Sequence, residues 1–137
     1  MRIMLGTFAL SSGYRDEFYG KALAVRRLVA EDYAKAFDTV DLIAGPTSPV
    51  SAIGIGERID DPLTMYLCDS LTTPASLAGI PAISLPCGLT AKNRPLGLQI
   101  TGPALHDALV LRAARGFEKK RKGGPIRSPL AAGLEGE

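Results

Sequence analysis

The sequence predicts an α/β fold, and three observations carry that prediction. A long stretch repeats apolar residues at helical spacing: Phe18, Ala22, Val25, Val29, Ala36 and Phe37, with Leu28 and Tyr33 beside them. A short apolar run, Val40–Ala44, follows within a few residues. Two further strand-like runs, Ala82–Pro86 and Gly97–Thr101, precede a second helical pattern. Helix followed closely by a short apolar strand is the habit of α/β folds.

The first helix is predicted over Tyr14–Phe37. Arg26, Arg27, Glu31, Asp32 and Lys35 fall mainly opposite its apolar stripe. Ser11-Ser12 stands where a cap belongs, since a serine oxygen accepts an orphan backbone N–H; that is a better reading than a paired-serine catalytic site. Gly45-Pro46 should stop the strand Val40–Ala44. The stretch Thr47–Asp61, with Pro49, Gly54 and Gly56, reads as a long loop, of the kind that often carries function.

Asp61-Pro62 opens a helix over Pro62–Leu71, because proline at the first helical position lacks only an N–H that would have no partner. Thr73-Pro74 repeats that signal, and a short helix Pro74–Ala78 should end at Gly79, with Pro81 just beyond. In the two later strands Ile83 and Leu85 share one face, and Leu98 and Ile100 oppose Gln99 and Thr101. The connection through Gly88, Asn93 and Pro95 favours antiparallel pairing. A last helix is predicted over Leu105–Lys119, with Leu105, Leu109, Ala113 and Phe117 on one stripe. Three strands that look apolar on both faces would leave edges and faces uncovered, so the pattern reads as part of a larger sheet. Residues 1–118 form the folded portion on this reading, and 119–137 a basic, mobile tail containing Gly123, Gly124, Pro125 and Pro129.

Composition narrows the function. Of 137 residues, 46% are hydrophobic and 22% charged, which is ordinary for a globular chain. A net charge of +2 is too small for a nucleic-acid surface, and Lys119–Lys122 reads as a solvated cluster. Cys68 and Cys87 have no partners at metal spacing and suit a reducing cytoplasm. No apolar run nears the roughly 18 residues of a membrane span. Gly6 and Thr7 interrupt the only stretch that resembles a leader.

Motifs for serine-elbow hydrolases, P-loops and dinucleotide sites are absent. The one histidine, His106, could in principle serve Cys68 as a base, but a surface histidine at a helix start is the better reading.

Six segments, in order, carry a resemblance. They are Arg2–Ser11 (RIMLGTFALS), Asp41–Thr47 (DLIAGPT), Asp60–Tyr66 (DDPLTMY), Thr72–Gly79 (TTPASLAG), Pro81–Pro86 (PAISLP) and Pro95–Ile100 (PLGLQI). Together they resemble the amidase signature family, and within it the glutamine-hydrolysing subunits of the Glu-tRNA(Gln)/Asp-tRNA(Asn) amidotransferases. The resemblance spans about Arg2–Glu118 and implies the C-terminal part of an α/β domain built on a mixed sheet flanked by helices. It implies a serine, a second serine in a cis peptide, and a lysine as catalytic machinery; nothing in this sequence matches the Gly/Ser-rich signature that carries them. The chain is therefore expected to be a truncated portion with no catalytic residue of its own, inactive alone.

Two substrate-holding positions of the family fall on Arg2 and Asp69. In the family these grip free glutamine, and the residue types fit: a guanidinium makes paired, charge-assisted bonds to a carboxylate, and an aspartate suits an ammonium. The resemblance also implies a B subunit as partner, handling ATP with Mg and the tRNA, and a small bridging C subunit. Two alternatives stay open: an amidase acting on another amide, and a non-catalytic truncated chain that only contacts partner subunits. Apolar strand faces without cover predict poor solubility for the chain alone.

Overall fold

The computed structural model describes Met4, Thr7 and residues 19–54 and 62–121. Its elements run α1 (Gly20–Phe37), β1 (Ile43–Pro46), α2 (Pro62–Leu67), α3 (Thr73–Ala78), β2 (Ala82–Leu89), β3 (Pro95–Thr101) and α4 (Asp107–Lys120). The α/β prediction holds. The predicted start of the first helix and its serine cap lie outside the described residues.

The last strand in sequence is the middle one in space. The sheet order is β1-β3-β2, antiparallel throughout, so the first strand joins the hairpin from the far side of β3. Ile83 faces Ile100 and Leu85 faces Leu98, which puts these four on one side of the sheet, as the alternation predicts. Helix α4 covers that side. Leu85, Ile100 and Ala114 are buried there, and Leu42, Ile83, Leu98, Ala113 and Phe117 pack around them.

Strand boundaries moved for identifiable reasons. Strand β1 begins at Ile43 and includes Pro46, where the sequence suggested Val40–Ala44. Val40 is still tied to the end of α1, its N–H donating to Ala36 O at 3.2 Å. Pro46 is tolerated because β1 is an edge strand, where one side of the backbone needs no ladder donor. Both hairpin strands are longer than expected. The turn closes within Thr90–Arg94, with Asn93 at φ 56 in the left-handed region that asparagine tolerates, and a bulge at Pro86/Gly88 places Cys87 as the extra residue.

Helix α3 ends as predicted at Gly79, whose φ of 72 lets its N–H cap Ala75 O at 3.1 Å. Helix α4 departs from the prediction at its start. Leu105 lies outside the helix at φ 65 and is 95% exposed, because His106 N–H closes a turn on Pro103 O before the helix begins. The stripe is consequently rotated: Val110 and Ala114 are the buried residues, flanked by half-buried Ala113 and Phe117. The helix continues through Lys120.

The strands are largely uncovered, as expected of part of a larger sheet. Of the strand residues only Leu85, Ile100 and Thr101 are buried, and α1 buries none of its residues. Val25 and Leu28, on or beside its apolar stripe, are 58% and 59% exposed. The stripe is covered in part: α3 packs against α1, and Val29, Tyr33, Ala36 and Phe37 are half-buried.

Candidate functional site

The segment after α2 shapes the site. Its helix ends at Leu67, four residues short of the predicted Leu71. Beyond it the chain turns by short bonds, Asp69 N–H to Tyr66 O and Ser70 N–H to Leu67 O. A continuing helix would use the carbonyls of residues 68–71 for backbone donors four residues on. Side chains reach three of them, although Asp69 O also accepts the Thr73 N–H at 3.0 Å. Ser48 Oγ donates to Cys68 O at 3.2 Å, Thr73 Oγ1 to Asp69 O at 2.8 Å, and Gln99 Nε2 to Leu71 O at 3.0 Å. Thr72 Oγ1 also donates to Asp69 O, at 3.2 Å. Such competition ends a helix where intrinsic propensity would extend it.

An open cleft of about 680 Å³ lies between this turn, the loop after β1 and the strands. Thr47, Ser48, Cys68, Ser84, Cys87 and Gly97 are among the residues lining it. Its wall depends on a missing side chain. Thr47 Oγ1 and Ser84 Oγ, from either side of β3, meet at 2.8 Å across Gly97. A Cβ on Gly97 would stand 2.7 Å from Thr47 Oγ1 and 3.2 Å from Ser84 Oγ, so only glycine admits the pair. Thr47 N–H also donates to Gly97 O at 3.0 Å, extending the β1–β3 ladder by one bond. Farther along the loop, the Arg94 guanidinium donates to Ala52 O.

No described residue lining the cleft carries a charge. The two hydroxyls are satisfied by each other. Cys68 and Cys87 are not joined in a disulfide.

The predicted site residues fare differently. Asp69 directly follows cleft-lining Cys68 and is exposed at the turn just described. Arg2 lies outside the described residues, so the structure does not test their pairing. His106 starts α4, its Nδ1 2.9 Å from Ala104 O, and takes no part in the cleft that Cys68 lines. Among the described residues no three His, Cys, Asp or Glu side chains gather as metal ligands, and no helix is long and apolar enough to cross a membrane.

Sequence reasoning missed Thr47, Ser48, Ser84, Gly97 and Gln99 as a group. The signal was present in the segments themselves. DLIAGPT, PAISLP and PLGLQI are the three strands of the sheet, and Ser48 immediately follows the first.

A three-stranded antiparallel sheet under α4, with a neutral cleft beside a helix-ending turn, defines the described residues as a small α/β arrangement. The chain belongs to the amidase family, whose model matches residues 1–111. It is 56% identical over 118 residues to the A subunit of glutamyl-tRNA(Gln) amidotransferase from Bacillus cytotoxicus, covering 86% of this chain and 24% of that protein. The crystal structure of the corresponding Thermotoga maritima protein superposes with a TM-score of 0.75 at 47% identity, over 88% of this chain and 26% of that one. A bacterial aryl acylamidase of the amidase signature family superposes with a TM-score of 0.62 at 26% identity, over 86% of this chain and 26% of its own. The chain thus spans about a quarter of the length of the relatives it matches.

Proposed function

We propose that this chain works as the substrate-gripping portion of a glutamine-hydrolysing amidotransferase subunit, supplying ammonia to convert Glu-tRNA(Gln) to Gln-tRNA(Gln) or Asp-tRNA(Asn) to Asn-tRNA(Asn). The observation that carries this is the 56% identity to a glutamyl-tRNA(Gln) amidotransferase over nearly all of the described fold, against 26% to an aryl acylamidase over a similar span.

In this reading Asp69 receives the ammonium of free glutamine and Arg2 its carboxylate, while the neutral cleft accommodates uncharged parts of the substrate. A substrate lacking either charge leaves a site charge unpaired, which selects the free amino acid over a plain amide. The serines and lysine that attack the amide belong to another part of the whole enzyme. ATP with Mg, and the tRNA, are handled by a B subunit, with a C subunit bridging, in the cytoplasm. The folded portion extends to the end of α4 at Lys120, two residues past the boundary expected from the sequence, and the residues beyond it form a tail.

The test is Asp69→Asn in the intact subunit within its complex. KM for glutamine should rise about ten- to a hundredfold, the equivalent of a charge-assisted hydrogen bond, while hydrolysis of an amide without an α-ammonium stays unchanged. Equal losses on both substrates would remove Asp69 from the ammonium and favour an amidase with another substrate.

A further inference from the structure

We infer that Ser48 and Gln99 are positioning residues that brace the Asp69 turn against the central strand. The inference rests on the reading of Asp69 just given, but the observation behind it is separate. The turn that carries Asp69 is closed locally by backbone bonds, Thr72 and Thr73 N–H both donating to Asp69 O. The carbonyls on either side of it, Cys68 O and Leu71 O, are taken by side chains that reach the turn from two directions.

One arm starts on β3. Gln99 is half-buried, lies on the face opposite the α4 core, and sits in the middle strand, paired with Gly45 on one side and Ser84 on the other. Its amide donates to Leu71 O, two residues after Asp69. The other arm runs through the loop after β1. Thr47 is fixed by its N–H to Gly97 O and by its hydroxyl contact with Ser84, and the next residue, Ser48, donates to Cys68 O, immediately before Asp69. Thr72 and Thr73 close the turn locally on the carbonyl of Asp69 itself. Both long-range arms therefore return to the strand that carries Gly97 and Gln99. The sheet sets where the Asp69 backbone stands, and with it the carboxylate's reach toward the cleft. A side chain on a fixed backbone loses less freedom on binding, so the bracing should appear as substrate affinity rather than turnover.

The experiment uses the intact subunit in its complex, with four variants: Gln99→Met, Ser48→Ala, Ser48→Thr and Asp69→Asn. Gln99→Met keeps length and removes the donor; Ser48→Ala is the milder change and tests the second arm should Gln99→Met fold poorly. Gln99→Met and Ser48→Ala should each raise KM for glutamine about three- to tenfold with kcat unchanged, the scale of one lost hydrogen bond, and leave an amide without an ammonium unaffected. Ser48→Thr, which keeps the hydroxyl, should restore the lower KM. Combined with Asp69→Asn, neither Gln99→Met nor Ser48→Ala should add a further loss, because each acts through that carboxylate. Losses that add to Asp69→Asn, or that fall on kcat and on both substrates alike, would overturn the bracing role. An Asp69→Asn variant indistinguishable from the parent would instead sink the reading of Asp69 itself, so the two failures are separable.

Discussion

The two long helices bind to the rest of the fold in opposite ways. Helix α4 closes over the sheet with Val110 and Ala114 buried, and Leu85 and Ile100 beneath it. Helix α1, four residues longer, buries nothing among the described residues. Among the described elements α1 packs on α3 rather than on the sheet, and its bonds are mostly local. Arg27 and Glu31 pair at 2.9 Å and Lys35 and Asp32 at 3.7 Å, Tyr33 stacks on Phe37, and a single long-range bond runs from Arg26 Nε to Leu77 O at 2.8 Å. Exposed ion pairs of this kind contribute little. Equal helical patterning therefore does not mean equal anchorage. An apolar stripe stabilises a fold only when something covers it.

Three substitutions in this chain would break or sharpen that contrast. The largest effect is expected at Ile100, buried under α4 in the middle strand. Ile100→Ala should cost about 2–5 kcal/mol in denaturant unfolding, through lost burial and the cavity left behind. A cost below about 1 kcal/mol would mean that the α4 side is no better packed than α1. Next is Gly97→Ala. Its methyl group would force the Thr47 and Ser84 hydroxyls apart at a cost of about 1–3 kcal/mol, with lowered amide protection at Thr47 as the local readout in hydrogen exchange. Unchanged protection there would show that the wall yields without losing its ladder bond. The smallest effect is expected for Leu28→Ala on α1, within about 0.5 kcal/mol by the same denaturant measurement, since that side chain is already 59% exposed. A cost comparable to that of Ile100→Ala would remove the contrast altogether.

Much of the fold was legible because it rests on local chemistry. Pro62, Pro74 and Gly79 mark helix ends through backbone effects that act within a turn, and the alternation through Ile83, Leu85, Leu98 and Ile100 named the apolar sheet face. What was not legible depends on partners far along the chain. The early end of α2 follows from Ser48 and Gln99, 20 and 28 residues from the carbonyls they bind. The hydroxyl pair joins Thr47 to Ser84 across 37 residues and becomes visible only once the register places Gly97 between them. The stripe on α4 was off by one step because Leu105 matched the apolar spacing while its backbone had already left the helical region. Of the candidate site, Asp69 was named through a segment resemblance; the braces around it were not, since no single segment contains both a donor and its acceptor.

The sheet order has a consequence for how the chain comes together. Strand β3 can pair with β2 across a five-residue turn, a closure with a small entropy cost. Strand β1 has no partner until β3 exists, although it is made first, and Ile43 must wait for Thr101. The hairpin should therefore form early and β1 dock late, after a long loop has closed. Mutations in the Thr90–Arg94 turn should slow folding, whereas mutations in β1 should mainly speed unfolding. The loop carrying Thr47 and Ser48 arrives with β1, so the cleft is among the last features of this fold to take shape.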